Sequence, residues 1–87
     1  MTYEEYRAKL RPLTNEELIG KINQEVGKPG WVAARGRYLS ALRETVLERG
    51  IDGGEAVKPT GLSLKYKVKL VGNRIVQLKE SGEFGQI

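Results

Sequence analysis

The spacing of apolar residues changes once along the chain, near residue 61, and this change constrains the fold more than any other feature. Before residue 50, apolar residues recur every three or four positions, which is typical of amphipathic helices. From Leu62 to Leu70 they alternate with Ser63 and three lysines, which is typical of a half-buried strand. The sequence therefore predicts an α+β fold with three N-terminal helices, followed by a C-terminal antiparallel β-hairpin packed on the helical layer.

Local end signals define the three helices. Thr2 and Thr14 each precede a glutamate by three residues, which is the capping box of a helix start. Gly27 follows the second predicted helix and Gly50 follows the third, at the position where a helix commonly ends in a residue with left-handed backbone conformation. The third helix is predicted over residues 31–49. Its apolar arc is wide, so we expect it to be central and to contact both the other helices and a sheet.

The remaining chain is predicted as a loop and a hairpin. Residues 52–61 carry turn-forming residues and no periodicity, which indicates a loop. Gly72-Asn73 is a turn signal between a first strand at 62–70 and a second at 74–79. A two-residue turn would pair Leu70 with Ile75, whereas a longer connection or a bulge would pair Leu70 with Val76. We favour the second register because it gives the cleaner apolar face.

The chain of 87 residues fits a single domain. We predict that residues 1–80 form this domain, and that residues 81–87, with two glycines and no periodicity, form a flexible tail. No apolar run approaches the roughly 18 residues of a membrane span. The charged N-terminus also has no signal-peptide core. We therefore expect a cytoplasmic protein with no membrane partner.

The absence of histidine and cysteine excludes most catalytic and metal-binding arrangements. No Ser-His-acid or Cys-His nucleophile can form, and zinc sites of the usual kind are excluded, as are disulfides. Adjacent glutamates stand in the first turns of two predicted helices, where they complement the helix dipole. Asp52 and Glu55 lie in a glycine-containing loop but lack the alternating spacing of a calcium loop. We therefore predict a protein that is not an enzyme and that needs no cofactor or metal.

The charges are strongly polarised although the formal net charge is only +4. Residues 26–43 and 56–79 contain no carboxylate, and they carry four and six basic residues respectively. Segregated positive charge indicates an acidic partner. The candidate nucleic-acid contacts are the lysines of the first strand, one arginine after the turn and three arginines of the third helix: Lys65, Lys67, Lys69, Arg74, Arg35, Arg37 and Arg43.

Each of these candidates also has a purely structural interpretation. Lysines on a hairpin keep it soluble and protect its edges from aggregation. Arg35 and Arg43 lie within the apolar arc of the third helix, where an arginine packs its stem, pairs with an acid or is presented at an interface. Trp31 and Tyr38 beside these arginines give a composition that is enriched in protein interfaces.

The order of three helices and then a hairpin resembles winged-helix domains in topology. Residues 31–49 would take the recognition-helix position, and Gly72-Asn73 the tip of the wing. The ten-residue loop before the hairpin and the apolar third helix depart from that pattern. Two functions are therefore expected. The first is a small non-enzymatic binding module that contacts the nucleic-acid backbone through its basic hairpin and third helix. The alternative is a protein–protein interaction or self-assembling accessory domain with no nucleic-acid role.

Overall fold

Three helices form the N-terminal half of the protein. The computed structural model describes residues 1–28 and 33–79, so the predicted helix start at Trp31 and the predicted tail at 81–87 lie outside the described residues. Both capping boxes are present, Thr2 with Glu5 and Thr14 with Glu17. The helices are α1 (Tyr3–Leu10), α2 (Asn15–Glu25) and α3 (Ala33–Glu48).

Two antiparallel hairpins follow the helices, which confirms the predicted α+β class. The prediction of one continuous strand over residues 62–70 is wrong, and so is that of a loop throughout 52–61. The strand ends at Leu62 because the backbone of the next residues has other hydrogen-bond partners. Ser63 N donates to the Ala56 carbonyl at 2.7 Å, and Gly27 N donates to the Leu64 carbonyl at 3.3 Å. The strands are β1 (Val57–Lys58), β2 (Gly61–Leu62), β3 (Val68–Val71) and β4 (Arg74–Gln77).

The register of the second hairpin is the one that the sequence analysis did not favour. Leu70 pairs with Ile75, so the turn has two residues and no bulge. Gly72 has a φ of 62° at the first turn position, as a type II′ turn requires. The inward face therefore carries Gln77 in place of a fourth aliphatic residue, beside Val68, Leu70 and Ile75. This polar side chain is accommodated because its Nε2 lies 3.4 Å from Ser63 Oγ.

The apolar core joins all three helices to the second hairpin. Helix α3 packs against α1, α2 and β2, while α2 packs against β3. No helix in the described part of the chain has both the length and the apolar character needed to cross a bilayer. The buried core residues are Leu10, Leu18, Ile19, Ile22, Ala41, Leu42, Val46, Ile51, Ala56, Val68 and Ile75.

Candidate functional site

The predicted strand lysines are exposed but do not share one strand. Lys69 lies in β3 opposite Val76, whereas Lys65 and Lys67 belong to the irregular segment before it. Leu78 N donates to the Lys67 carbonyl at 2.8 Å, which extends the pairing of the hairpin by one residue. Side chains alternate along paired strands. Lys67 and Lys69 therefore share one face, and Lys65 is separated from them.

This face, which we call the outer hairpin face, mixes cations with aliphatic side chains. Arg74 lies on it, with its Nε 3.4 Å from Asp52 Oδ2 and both side chains mostly exposed. An ion pair so exposed contributes little to stability, so Arg74 can exchange its partner. Lys67 and Lys69 form no ion pair with any residue in 1–28 or 33–79. The outer hairpin face comprises Lys67, Lys69, Val71, Arg74, Val76 and Leu78.

Two of the three predicted arginines of α3 are engaged within the protein. Arg35 Nε lies 3.0 Å from Oε1 of the buried Glu25, which ties α3 to the end of α2. Arg43 donates from Nε to the Lys58 carbonyl at 2.8 Å and from Nη2 to the Pro59 carbonyl at 2.9 Å. Both guanidinium groups therefore support the fold. Arg37 is exposed and makes a long hydrogen bond of 3.4 Å to the Met1 carbonyl.

The predicted interface aromatics give no exposed patch among the described residues. Trp31 lies outside them. Tyr38 is half-buried and packs edge-on against Tyr6, with ring centroids 5.2 Å apart. Burial raises the pKa of the Tyr38 hydroxyl above its ordinary value. Tyr38 therefore joins α3 to α1.

A groove between the two hairpins brings Lys65 together with residues that the sequence analysis did not select. Its volume is about 510 Å³, and a smaller extension of about 350 Å³ continues along β4. We call it the Tyr66 groove, after the half-buried aromatic ring that lines it. Its other polar lining residues are Glu55, Lys58, Ser63, Lys65, Gln77 and Lys79.

Three lysines border the Tyr66 groove, and two of them lie close to its aromatic ring. Lys65 Nζ is 5.6 Å from the ring centroid of Tyr66, and Lys79 Nζ is 5.5 Å from it. These distances are within the range of cation–π attraction. Adjacent Lys65 and Tyr66 were visible in the sequence as a pairing of cation and aromatic. The approach of Lys79 was not, because it depends on the register of the second hairpin.

One ion pair lies within the Tyr66 groove. Lys79 Nζ lies 2.9 Å from Glu55 Oε1, and both side chains are substantially exposed. The hydrogen bond from Lys79 lowers the pKa of Glu55, and the charge of Lys58 adds a smaller effect in the same direction. The same bond raises the pKa of Lys79. Among the described residues that line it, the groove therefore has three basic side chains and one carboxylate.

Replacing Lys79 with glutamine is expected to raise the pKa of Glu55 toward its ordinary value. The main cause of the lowered pKa is removed, while Lys58 remains. In the parent, the ion pair persists until the pH falls through the lowered pKa of Glu55 and its carboxyl becomes neutral. Carboxyl NMR shifts followed against pH measure this pKa directly. Lys69→Gln is the control, because Lys69 does not contribute to the Glu55 pKa; an equal rise in both variants would contradict the assignment.

A larger cavity, of about 600 Å³, lies between α3 and the first hairpin. Its cations include Lys28 and Arg35, which both contact the buried Glu25, at 3.2 and 3.0 Å. They are therefore less available to an anionic ligand than Lys65 of the Tyr66 groove, which forms no ion pair with any described residue. In the part of the chain that the structure describes, no group of three acidic side chains is arranged to hold a metal ion.

Comparisons with protein-family models, with curated proteins and with solved structures found no match. A functional assignment for this chain therefore depends on the chemistry of its own surface.

Proposed function

We propose that the protein is a non-enzymatic nucleic-acid-binding domain that contacts backbone phosphates through the basic surface of its second hairpin. One observation carries this proposal: Lys65, Lys67 and Lys69 are exposed and form no ion pair with any described residue. They lie within 24 consecutive residues, 56–79, that contain no carboxylate. A cytoplasmic location is part of the same proposal.

Unpaired exposed lysines suit phosphate binding for a physical reason. Each lysine that neutralises a phosphate releases a condensed counterion, and this release drives association. No ion pair with a described residue has to be broken first. Arg74 is almost as available, because its contact with Asp52 is exposed. Arg35 and Arg43 would have to leave Glu25 and the turn after β1, so we assign α3 a smaller part, through Arg37.

The proposed phosphate contacts can be tested with variants of the outer hairpin face. Changing Lys67 and Lys69 to glutamine is expected to remove two phosphate contacts. The slope of log affinity against log salt concentration should then flatten by about 1.4–1.8, since each contact contributes about 0.7–0.9. Sequence preference should stay unchanged, because phosphate contacts position a protein without reading bases. Fluorescence anisotropy with a labelled oligonucleotide over a range of salt concentrations measures this slope.

A charge-matched control is available near α1. Lys9 of α1 and Lys21 of α2 line one small pocket with Tyr6 and Tyr38, and no residue of either hairpin lines it. Their double change to glutamine alters the net charge equally and should leave the slope nearly unchanged. Equal flattening by both double variants would show a general charge effect and remove the assignment to the hairpin. No binding to single- or double-stranded oligonucleotides at low salt would remove the proposed function itself.

The alternative of protein interaction or self-assembly is favoured by one observation. Val71 is 51% exposed and Leu78 37% exposed, and both lie on the outer hairpin face. Exposed aliphatic side chains between cations are suited to an amphipathic protein surface. An apolar association of copies should persist at high salt, where phosphate binding fades. Size-exclusion chromatography at low and high salt separates the two functions.

A further inference from the structure

The Tyr66 groove differs in chemistry from the outer hairpin face. The outer face offers cations and aliphatic groups, whereas the groove combines an aromatic ring, a hydroxyl, a carboxamide and lysines. Its volume of about 510 Å³ is in the range of small-ligand pockets, about 300–1,000 Å³. A ligand for this groove needs a flat surface, hydrogen-bonding edges and negative charge in one unit.

The polar groups in the groove have spare hydrogen-bonding capacity. Gln77 Nε2 donates to Ser63 Oγ over 3.4 Å, the only hydrogen bond recorded for either side chain within the described residues. A carboxamide has two donor hydrogens and one acceptor oxygen, and a hydroxyl both donates and accepts. Gln77 and Ser63 therefore retain both donors and acceptors for a ligand. Such groups match the edges of a nucleobase.

Tyr66 and the lysines near it provide the other two features that a nucleotide site needs, an aromatic surface and positive charge. Bases stack on aromatic side chains in proteins that bind single strands, while lysines beside the ring hold the flanking phosphates. Lys65 and Lys79 lie near the ring at 5.6 and 5.5 Å, and the exposed Lys58 borders the same groove. Long, exposed lysine side chains can move from the ring to a phosphate without disturbing the fold.

We propose that the Tyr66 groove receives an unpaired base, so that the protein prefers single-stranded nucleic acid to a duplex. This inference rests on the proposed function and adds the class of nucleic acid to it. In a duplex, both faces of each base are covered by its neighbours, and a recessed tyrosine cannot reach them. An unpaired base can turn into the groove, stack on Tyr66 and place its edge near Gln77.

Glu55 makes this binding weaker than the groove otherwise allows. Its carboxylate lies 2.9 Å from Lys79, so it competes with phosphate for that lysine and also repels the phosphate. Changing Glu55 to glutamine removes the repulsion and frees Lys79. The affinity for single strands should rise by about two- to fivefold, the range expected for one exposed charge pair.

The test compares four oligonucleotide probes of one sequence: single-stranded DNA, single-stranded RNA, duplex DNA, and single-stranded DNA in which consecutive bases are replaced by abasic sites. The parent protein is expected to bind the single strands at least tenfold more tightly than the duplex or the abasic strand. A stronger affinity for the RNA than for the DNA would show that the 2′-hydroxyl is also contacted, and a weaker affinity that it is not. Binding of either natural single strand at this level supports the inference.

Variants of Tyr66 then locate the effect. Tyr66→Leu should lower single-strand affinity about tenfold, in line with the loss of one stacked base, and change duplex affinity less than twofold. Tyr66→Phe keeps the ring and should bind nearly as the parent does. Should Tyr66→Leu fail to fold, the abasic probe decides the question with the folded parent protein.

Two results would overturn the inference and leave the proposed function standing. One is equal affinity of the parent for intact single strand, abasic strand and duplex. The other is an equal loss of single-strand and duplex affinity in a folded Tyr66→Leu. A parent that binds none of the four probes at low salt would instead remove both the inference and the function on which it rests.

Discussion

Replacing Leu42 with alanine is expected to lower the free energy of unfolding by about 3–5 kcal/mol. Leu42 is fully buried in the core where α3 packs on its neighbours. Truncation loses the transfer free energy of the removed carbon atoms and leaves a cavity that the surroundings fill only in part. A domain of 87 residues is stable by about 4–13 kcal/mol, at roughly 0.05–0.15 kcal/mol per residue. The loss therefore takes a large share of the total.

The same substitution at Leu47 provides the control for Leu42. Leu47 lies on the same helix but is 40% exposed. Its change to alanine should cost less than about 1 kcal/mol, because little apolar surface is withdrawn from contact. Urea denaturation with an unchanged m-value measures both losses. Equal losses at the two positions would mean that the packing side of α3 has been assigned incorrectly.

Replacing Asn23 with alanine is expected to cost about 2–3 kcal/mol. The Asn23 side chain accepts from Val68 N at 2.7 Å and donates from Nδ2 to the Val68 carbonyl at 2.9 Å. The side chain of Asn23 thus makes the two hydrogen bonds that the backbone of a neighbouring strand would make to Val68 of β3. Val68 is buried, so both of its backbone groups would be left without a partner. Each such group costs about 1–3 kcal/mol, and part of this is recovered where water enters.

Two measurements test the role of Asn23. Denaturation should show the loss, and amide hydrogen exchange should become faster at Val68. The neighbouring Gln24 is exposed, and its change to alanine should alter the unfolding free energy by no more than about 0.5 kcal/mol. If Asn23→Ala and Gln24→Ala behave alike, the side-chain bridge to β3 does not contribute to stability.

The parts of the fold that the sequence predicted well depend on residues close together in the chain. Thr2 and Thr14 allowed the starts of α1 and α2 to be predicted, because a capping box is complete within four residues. The hairpin register was predicted wrongly because alternation alone favoured an all-aliphatic face. The hydrogen bond that lets Gln77 point inward is accepted by Ser63 Oγ, 14 residues earlier. An even longer separation in sequence, 37 residues, hid the end of the strand after Leu62, since the Leu64 carbonyl accepts from Gly27 N.

The candidate site likewise has features that the sequence predicted and features that it did not. The lysines could be selected from the sequence, since charge and the absence of acids are read directly from it. Their grouping could not: Lys67 and Lys69 share a face, while Lys65 joins Tyr66 in a separate groove. Glu55 and Lys79 meet across 24 positions, and that contact exists only once both hairpins are in place. The engagement of Arg35 by Glu25 likewise required the angle between α2 and α3.

The bonds from Arg43 to the turn after β1 have a consequence for the order of folding. The first hairpin has only two paired residues in each strand, too few to persist alone. It is held in place by the guanidinium group of Arg43, which reaches the carbonyls of Lys58 and Pro59 from α3. We therefore expect the hairpin to become ordered after α3 has formed and docked. We expect it to assemble late on the folding pathway and to open first under mild denaturant, taking one wall of the Tyr66 groove with it.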